Sequence, residues 1–147
     1  MAEALGRPAE VPDIAYVSIA QTAAEKFVAL TRRTAADIGE AGGPRDPTLA
    51  RHVYDLHVIR GHYDVAEVVA LARAIMPHDA EVFGNQFPAY RADPIRETLR
   101  AVEALERDKR YAQRYAEFQR DVVYGELPAY ADALSTIGAL ARQLQER

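Results

Sequence analysis

The chain of 147 residues has no cysteine and no tryptophan, and only two of its eighteen basic residues are lysines, Lys26 and Lys109. Without cysteine there can be no disulfide framework, thiolate nucleophile or cysteine-based zinc site. There is no basic excess: the formal net charge is −4, the wrong sign for a surface that coats nucleic acid. No apolar run approaches membrane-spanning length. The segment Met1 to Pro8 has no basic stretch leading into an apolar core, so it does not read as a secretory signal. These absences together predict a cytoplasmic protein that does not enter a membrane. Also missing are GxxxxGK[ST], GxGxxG and GxSxG, which removes the phosphate loops and the hydrolase elbow.

What is present fits one soluble domain. Hydrophobic residues make up 49% and charged residues 27%, and a chain of this length buries roughly two-thirds of its unfolded surface. The predominance of arginine is what a GC-rich coding sequence would give, so most arginines need no functional explanation.

Residues 1–17 read as a flexible or extended lead-in, with Ile14 to Val17 as a short extended piece, and 18–147 as a single helical domain. Ser18 with Gln21 three residues on forms a capping box. Ile19, Ala23, Phe27, Leu30 and Thr34 then fall on one stripe. Asp46-Pro47 opens a second helix with Leu49, Val53, Leu56 and Arg60 as its inner stripe, ending at Gly61. Asp64 opens a third, the most apolar and so the most buried, limited by Pro77. A short helical piece follows over 79–83. Asp93-Pro94 repeats the cap-then-proline start ahead of Ile95, Leu99, Val102 and Leu105. Tyr111, Tyr115, Phe118, Val122 and Val123 mark another helix, ending at Gly125. Leu127-Pro128 starts the last. The prediction is an all-α bundle of about six helices with short connections.

The candidate chemistry sits on the first two helices. Lys26 lies at the edge of its apolar stripe, with Arg33 seven residues on almost above it. An ammonium there can leave the core edge and meet a phosphate. The simpler reading, which spacing alone favours, is a snorkelling lysine or one paired with Asp55. Asp55 flanks the second stripe and could orient a hydroxyl, act as a base or fix a cation. An intrahelical pair with Arg51 is again the simpler reading. His52, His57 and His62 are five residues apart, a turn of about 140° per step, so they do not converge on one metal ion. Tyr111, Tyr115 and Phe118 read as core, not as a base-stacking platform.

Four segments carry a resemblance. Ala24-Glu25-Lys26-Phe27-Val28-Ala29-Leu30 with Arg32-Arg33, and Arg51-His52-Val53-Tyr54-Asp55-Leu56, resemble the lysine motif and the R-D-L-Y-D-L motif of AbiEii/AbiGii-type nucleotidyltransferase toxins. His52 stands where an aspartate is common. Phe87-Pro88-Ala89-Tyr90 and Val123-Tyr124-Gly125-Glu126-Leu127-Pro128 resemble later landmarks. The likeness runs from about Val17 to Leu140 and is to the family's C-terminal helical part. It implies a catalytic role for Asp55 and nucleotide binding by Lys26 and Arg33, with Arg32, Arg51 and His52 in support.

In that family a polymerase-β-like half supplies a Gly-Ser turn and paired aspartates that hold Mg²⁺ and the nucleotide phosphates. Neither a Gly-Ser nor an Asp-x-Asp occurs in this sequence. The resemblance therefore implies a chain that lacks the catalytic half and is inactive alone. It would have no cofactor of its own, Mg²⁺ and NTP entering only with a complementing catalytic chain. The alternative is a non-enzymatic interaction module that binds a cognate antitoxin or itself. An RNA contact through Arg32, Arg33, Arg51 and Arg60 is a third expectation, opposed by the acidic total.

Overall fold

The computed structural model describes residues 18–38, 46, 48–121 and 128–146. Among these residues there are seven α-helices, one 3-10 turn and no strand. The helices are α1 (Ile19–Ile38), α2 (Thr48–Val58), α3 (Val65–Phe83), α4 (Pro88–Ala92), α5 (Pro94–Arg107), α6 (Lys109–Asp121) and α7 (Tyr130–Gln145), with the 3-10 turn at Arg60–His62 between α2 and α3. The lead-in before residue 18, the Gly125 helix end and the landmark over 123–127 lie outside the described residues.

Side-chain caps start three of the helices where the sequence places them, whereas Asp64 precedes α3 without a side-chain cap bond. Ser18 Oγ accepts the Gln21 N–H at 3.0 Å, but the Gln21 side chain donates forward to Glu25 Oε2 at 2.9 Å. Only half of the capping box is made. Asp46 Oδ1 accepts the Thr48 N–H at 2.9 Å, and Asp93 Oδ1 accepts the Arg96 N–H at 3.1 Å. Pro94 occupies the first turn of α5, where its missing N–H has no partner to lose.

Helix α1 is the centre of the packing, lying against α2, α3 and α5. Ala23, Phe27 and Leu30 are fully buried, whereas Ile19 at the helix start is 42% exposed. Thr31 and Thr34 are buried too. They tolerate it because each hydroxyl donates to a carbonyl one turn back, Phe27 O at 2.9 Å and Leu30 O at 2.7 Å.

Three sequence expectations need correction. Arg60 does not complete the α2 stripe: α2 stops at Val58, and Arg60 is exposed in the 3-10 turn, donating to His57 O at 2.7 Å. Pro77 does not end α3, and no separate piece begins at residue 79. Pro77 sits on the exposed face of α3, while Met76 and Ala80 hold the buried inner face across it. Nor is the apolar α3 the most buried helix. It buries five of its nineteen residues, against eight of sixteen in α7. The reason is an outer face that carries Ala66, Ala70, Ala74 and Val82 in the open.

The aromatic residues are core. Tyr115 packs on Phe118 and Tyr130 with ring centres 6.2 and 5.1 Å apart, and Tyr54 meets Phe118 at 5.7 Å. The Tyr130 hydroxyl donates to Leu105 O at 2.9 Å.

Two polar ties fix the helices to one another. Asp79 on α3 accepts from Arg32 Nε at 2.9 Å and from the Tyr90 hydroxyl at 2.8 Å. The Arg32 guanidinium also stacks 3.7 Å over the Phe83 ring. Both charged partners are only 13% exposed. His57 Nδ1 lies 2.8 Å from Thr136 Oγ1, joining α2 to α7. Among the described residues no group of three or more acidic or histidine side chains could hold a metal, and no helix is long and apolar enough to cross a membrane.

Two predictions follow from these ties. Asp79→Ala leaves Arg32 without its carboxylate and costs about 2–4 kcal/mol in urea unfolding. Burial, then Arg60, pull the His57 imidazolium below its ordinary 6.5 against the weaker pull of Asp132. The unfolded chain therefore takes up this proton first. The stability is fully present above about pH 6.5 and is lost as pH falls through the depressed value. Thermal melts across that window should show a shallower pH slope in His57→Gln.

Candidate functional site

Helices α1 and α2 lie antiparallel, because Lys26 meets Asp55 while Arg33, further along α1, meets the start of α2. Lys26 Nζ stands 3.0 Å from Asp55 Oδ2, with the two side chains 29% and 27% exposed. Two turns on, roughly 10 Å along α1, Arg33 Nη1 donates to Thr48 Oγ1 at 2.6 Å and Arg33 Nε lies 3.5 Å from Asp46 Oδ2. Thr48 Oγ1 in turn donates to Asp46 Oδ1 at 2.6 Å. Arg33, Thr48 and Asp46 thus form one hydrogen-bonded chain at the head of α2.

His52 lies in the field of both pairs. Burial first, then Lys26 and Arg33, push its pKa below 6.5 against the opposing pull of Asp55 and Asp46. These effects favour the neutral ring, whose buried Nδ1 has no hydrogen-bond partner among the described residues. Burial works against ionisation of Asp46, but the Thr48 hydroxyl and N–H, with Arg33 and His52, outweigh it and hold the carboxyl below its ordinary range. The cluster is charge-balanced: two cations face two carboxylates around a neutral imidazole.

Of the six residues expected at the site, four come together here: Lys26, Arg33, His52 and Asp55. Arg32 does not join them, since it turns to Asp79 and Phe83. Arg51 is exposed and forms no pair with Asp55. The structure adds Asp46 and Thr48. Their sequence signal was a helix cap, and a cap carboxylate has a second oxygen free to meet a cation from a neighbouring helix.

The family model for the nucleotidyl transferase AbiEii toxin of a type IV toxin–antitoxin system matches residues 1–136. The chain belongs to the AbiEii toxin family. Searches of curated proteins and of solved structures find no match. Lys26 and Asp55, which come from two of the four resembling segments, are in contact, the pairing that was also the simpler reading of Lys26.

A pair this exposed contributes about 1 kcal/mol or less. Lys26→Met and Asp55→Asn should therefore each shift the urea midpoint only slightly, in contrast to Asp79→Ala. A collapse of the fold in Lys26→Met would make the pair a structural tie instead of a site.

Proposed function

We propose that this chain is the helical, nucleotide-contacting part of an AbiEii-type nucleotidyltransferase, in which Lys26, backed by Arg33, receives the triphosphate and Asp55 stands beside it as the site carboxylate. Transfer itself needs a polymerase-β-like catalytic half on another segment or chain. The observation that supports the reading is the Lys26–Asp55 contact, part-exposed between α1 and α2.

Nucleotidyl transfer implies Mg²⁺, and the described residues do not fit that ion. They contain no group of three possible ligands, and the Asp55 carboxylate is already taken by Lys26. What this cluster can do is exchange ion pairs. A polyphosphate brings several negative charges to Lys26 and Arg33, more than the single carboxylate each now faces. His52 helps by being neutral: an aspartate at that position, as in the family motif, would set a third carboxylate against the incoming phosphates.

A second reading is a protein-interaction module of a toxin–antitoxin system, with an antitoxin or another copy as partner. One observation favours it. A groove of about 600 Å³ lies away from Lys26, between α5 and α7.

Calorimetry with each NTP, with and without Mg²⁺, tests the first reading. Binding at the micromolar level is expected for the wild type and is lost in Lys26→Ala. Asp55→Asn releases Lys26 from its partner and should tighten binding about fivefold, the equivalent of about 1 kcal/mol. If the wild type binds no nucleotide, the α1–α2 cluster is a scaffold contact and the nucleotide reading fails.

A further inference from the structure

The groove between α5 and α7 encloses about 600 Å³. Its floor is apolar and small, made by Leu99, Val102, Gly138 and Ala141. Its walls are charged, yet their charges are unevenly used. Arg100 is paired with Glu97 at 3.1 Å and Arg107 with Glu103 at 3.4 Å. Arg96 and Arg142 also line the groove, and neither forms a side-chain ion pair or hydrogen bond among the described residues. In a chain with a net charge of −4, two guanidiniums over one groove thus carry no ion pair among the described residues.

Gly138 is a second, independent feature. It lies inside α7 and is buried, where glycine costs about 1 kcal/mol relative to alanine. The packing of the chain does not demand it. A Cβ there would lie 3.5 Å from Glu106 Oε2 and 3.6 Å from Arg142 Nη1, both ordinary contacts. What the glycine provides is depth in the groove floor.

We infer that this groove docks an acidic amphipathic helix of a partner protein. The apolar floor takes side chains at helical spacing, and the partner's flanking carboxylates pair with Arg96 and Arg142. From Arg96 to Arg107 the wall runs roughly 16 Å, the length of about three helical turns. A polypeptide fits better than nucleic acid, because the apolar Leu99, Val102 and Ala141 in the lining meet the apolar seam of an amphipathic helix and have no counterpart in a phosphate backbone. The inference is independent of the nucleotide reading, since none of these residues belongs to the α1–α2 cluster.

The test uses the full chain and a labelled helical peptide of about 14 residues, with a leucine seam flanked by glutamates. Controls are the same peptide with lysines for glutamates and a single-stranded RNA oligonucleotide. Fluorescence anisotropy should give micromolar binding of the glutamate peptide and at least tenfold weaker binding of the lysine peptide. Gly138→Leu fills the floor and abolishes binding. The double variant Arg96→Glu/Arg142→Glu reverses the preference toward the lysine peptide, a gain that a misfolded chain could not show. Circular dichroism melts verify both variants. Failure of the glutamate peptide to bind, equal binding of the two peptides, or RNA binding through the same arginines overturns the inference. So does a concentration-dependent dimer that Gly138→Leu abolishes, which would assign the groove to a second copy.

Discussion

Burial of α1 on three sides constrains everything around it. A helix lying against α2, α3 and α5 can keep charged side chains only where they escape along its edges. Lys26 and Arg33, seven residues apart, leave by the same edge because seven residues make nearly two full turns. Arg32, one residue earlier, is rotated by about 100° and leaves by another. One edge meets the carboxylates of α2; the other meets Asp79 and the Phe83 ring. The adjacent arginines 32 and 33 are thus divided between two tasks. The better-buried contact secures the helix, and the proposed exchange with phosphate rests on the more exposed one.

That division explains how far the sequence could be read. The edge positions of Lys26 and Asp55 were legible from helical spacing, and so was the all-α bundle from its caps and apolar stripes. Their pairing was part of the simpler reading of Lys26, and the structure shows that pair; the register in which α1 packs against α2 was not legible. Arg32 was expected in support of the site for the same reason: its partner Asp79 is 47 positions away. Asp46 was legible as a cap but not as a partner for Arg33. Pro77 misled because burial of Met76 and Ala80 holds α3 together across it, a tertiary contribution that a local proline signal does not carry.

The two polar surfaces differ in character. The α1–α2 cluster is charge-balanced and narrow, with each cation already facing a carboxylate and a neutral His52 between them. A ligand there must offer more negative charge than the carboxylate it displaces, which suits a polyphosphate. The α5–α7 groove is longer, has an apolar floor, and holds two arginines, Arg96 and Arg142, that form no ion pair among the described residues. It suits an extended surface that brings both apolar groups and carboxylates. A toxin-family chain with both could contact nucleotide on one side and a regulating protein on the other without competition between them.

The most direct measurement is a two-dimensional NMR titration of the wild-type chain with tripolyphosphate, following the Lys26 ammonium and the Asp55 carboxyl carbon. The account predicts that these two signals move together and more than any others, as Lys26 exchanges its carboxylate for phosphate. If both stay still while the shifts map to Arg96 and Arg142, or if no signal moves, then the Lys26–Asp55 pair is a fixed contact and the α1–α2 cluster is not a nucleotide site.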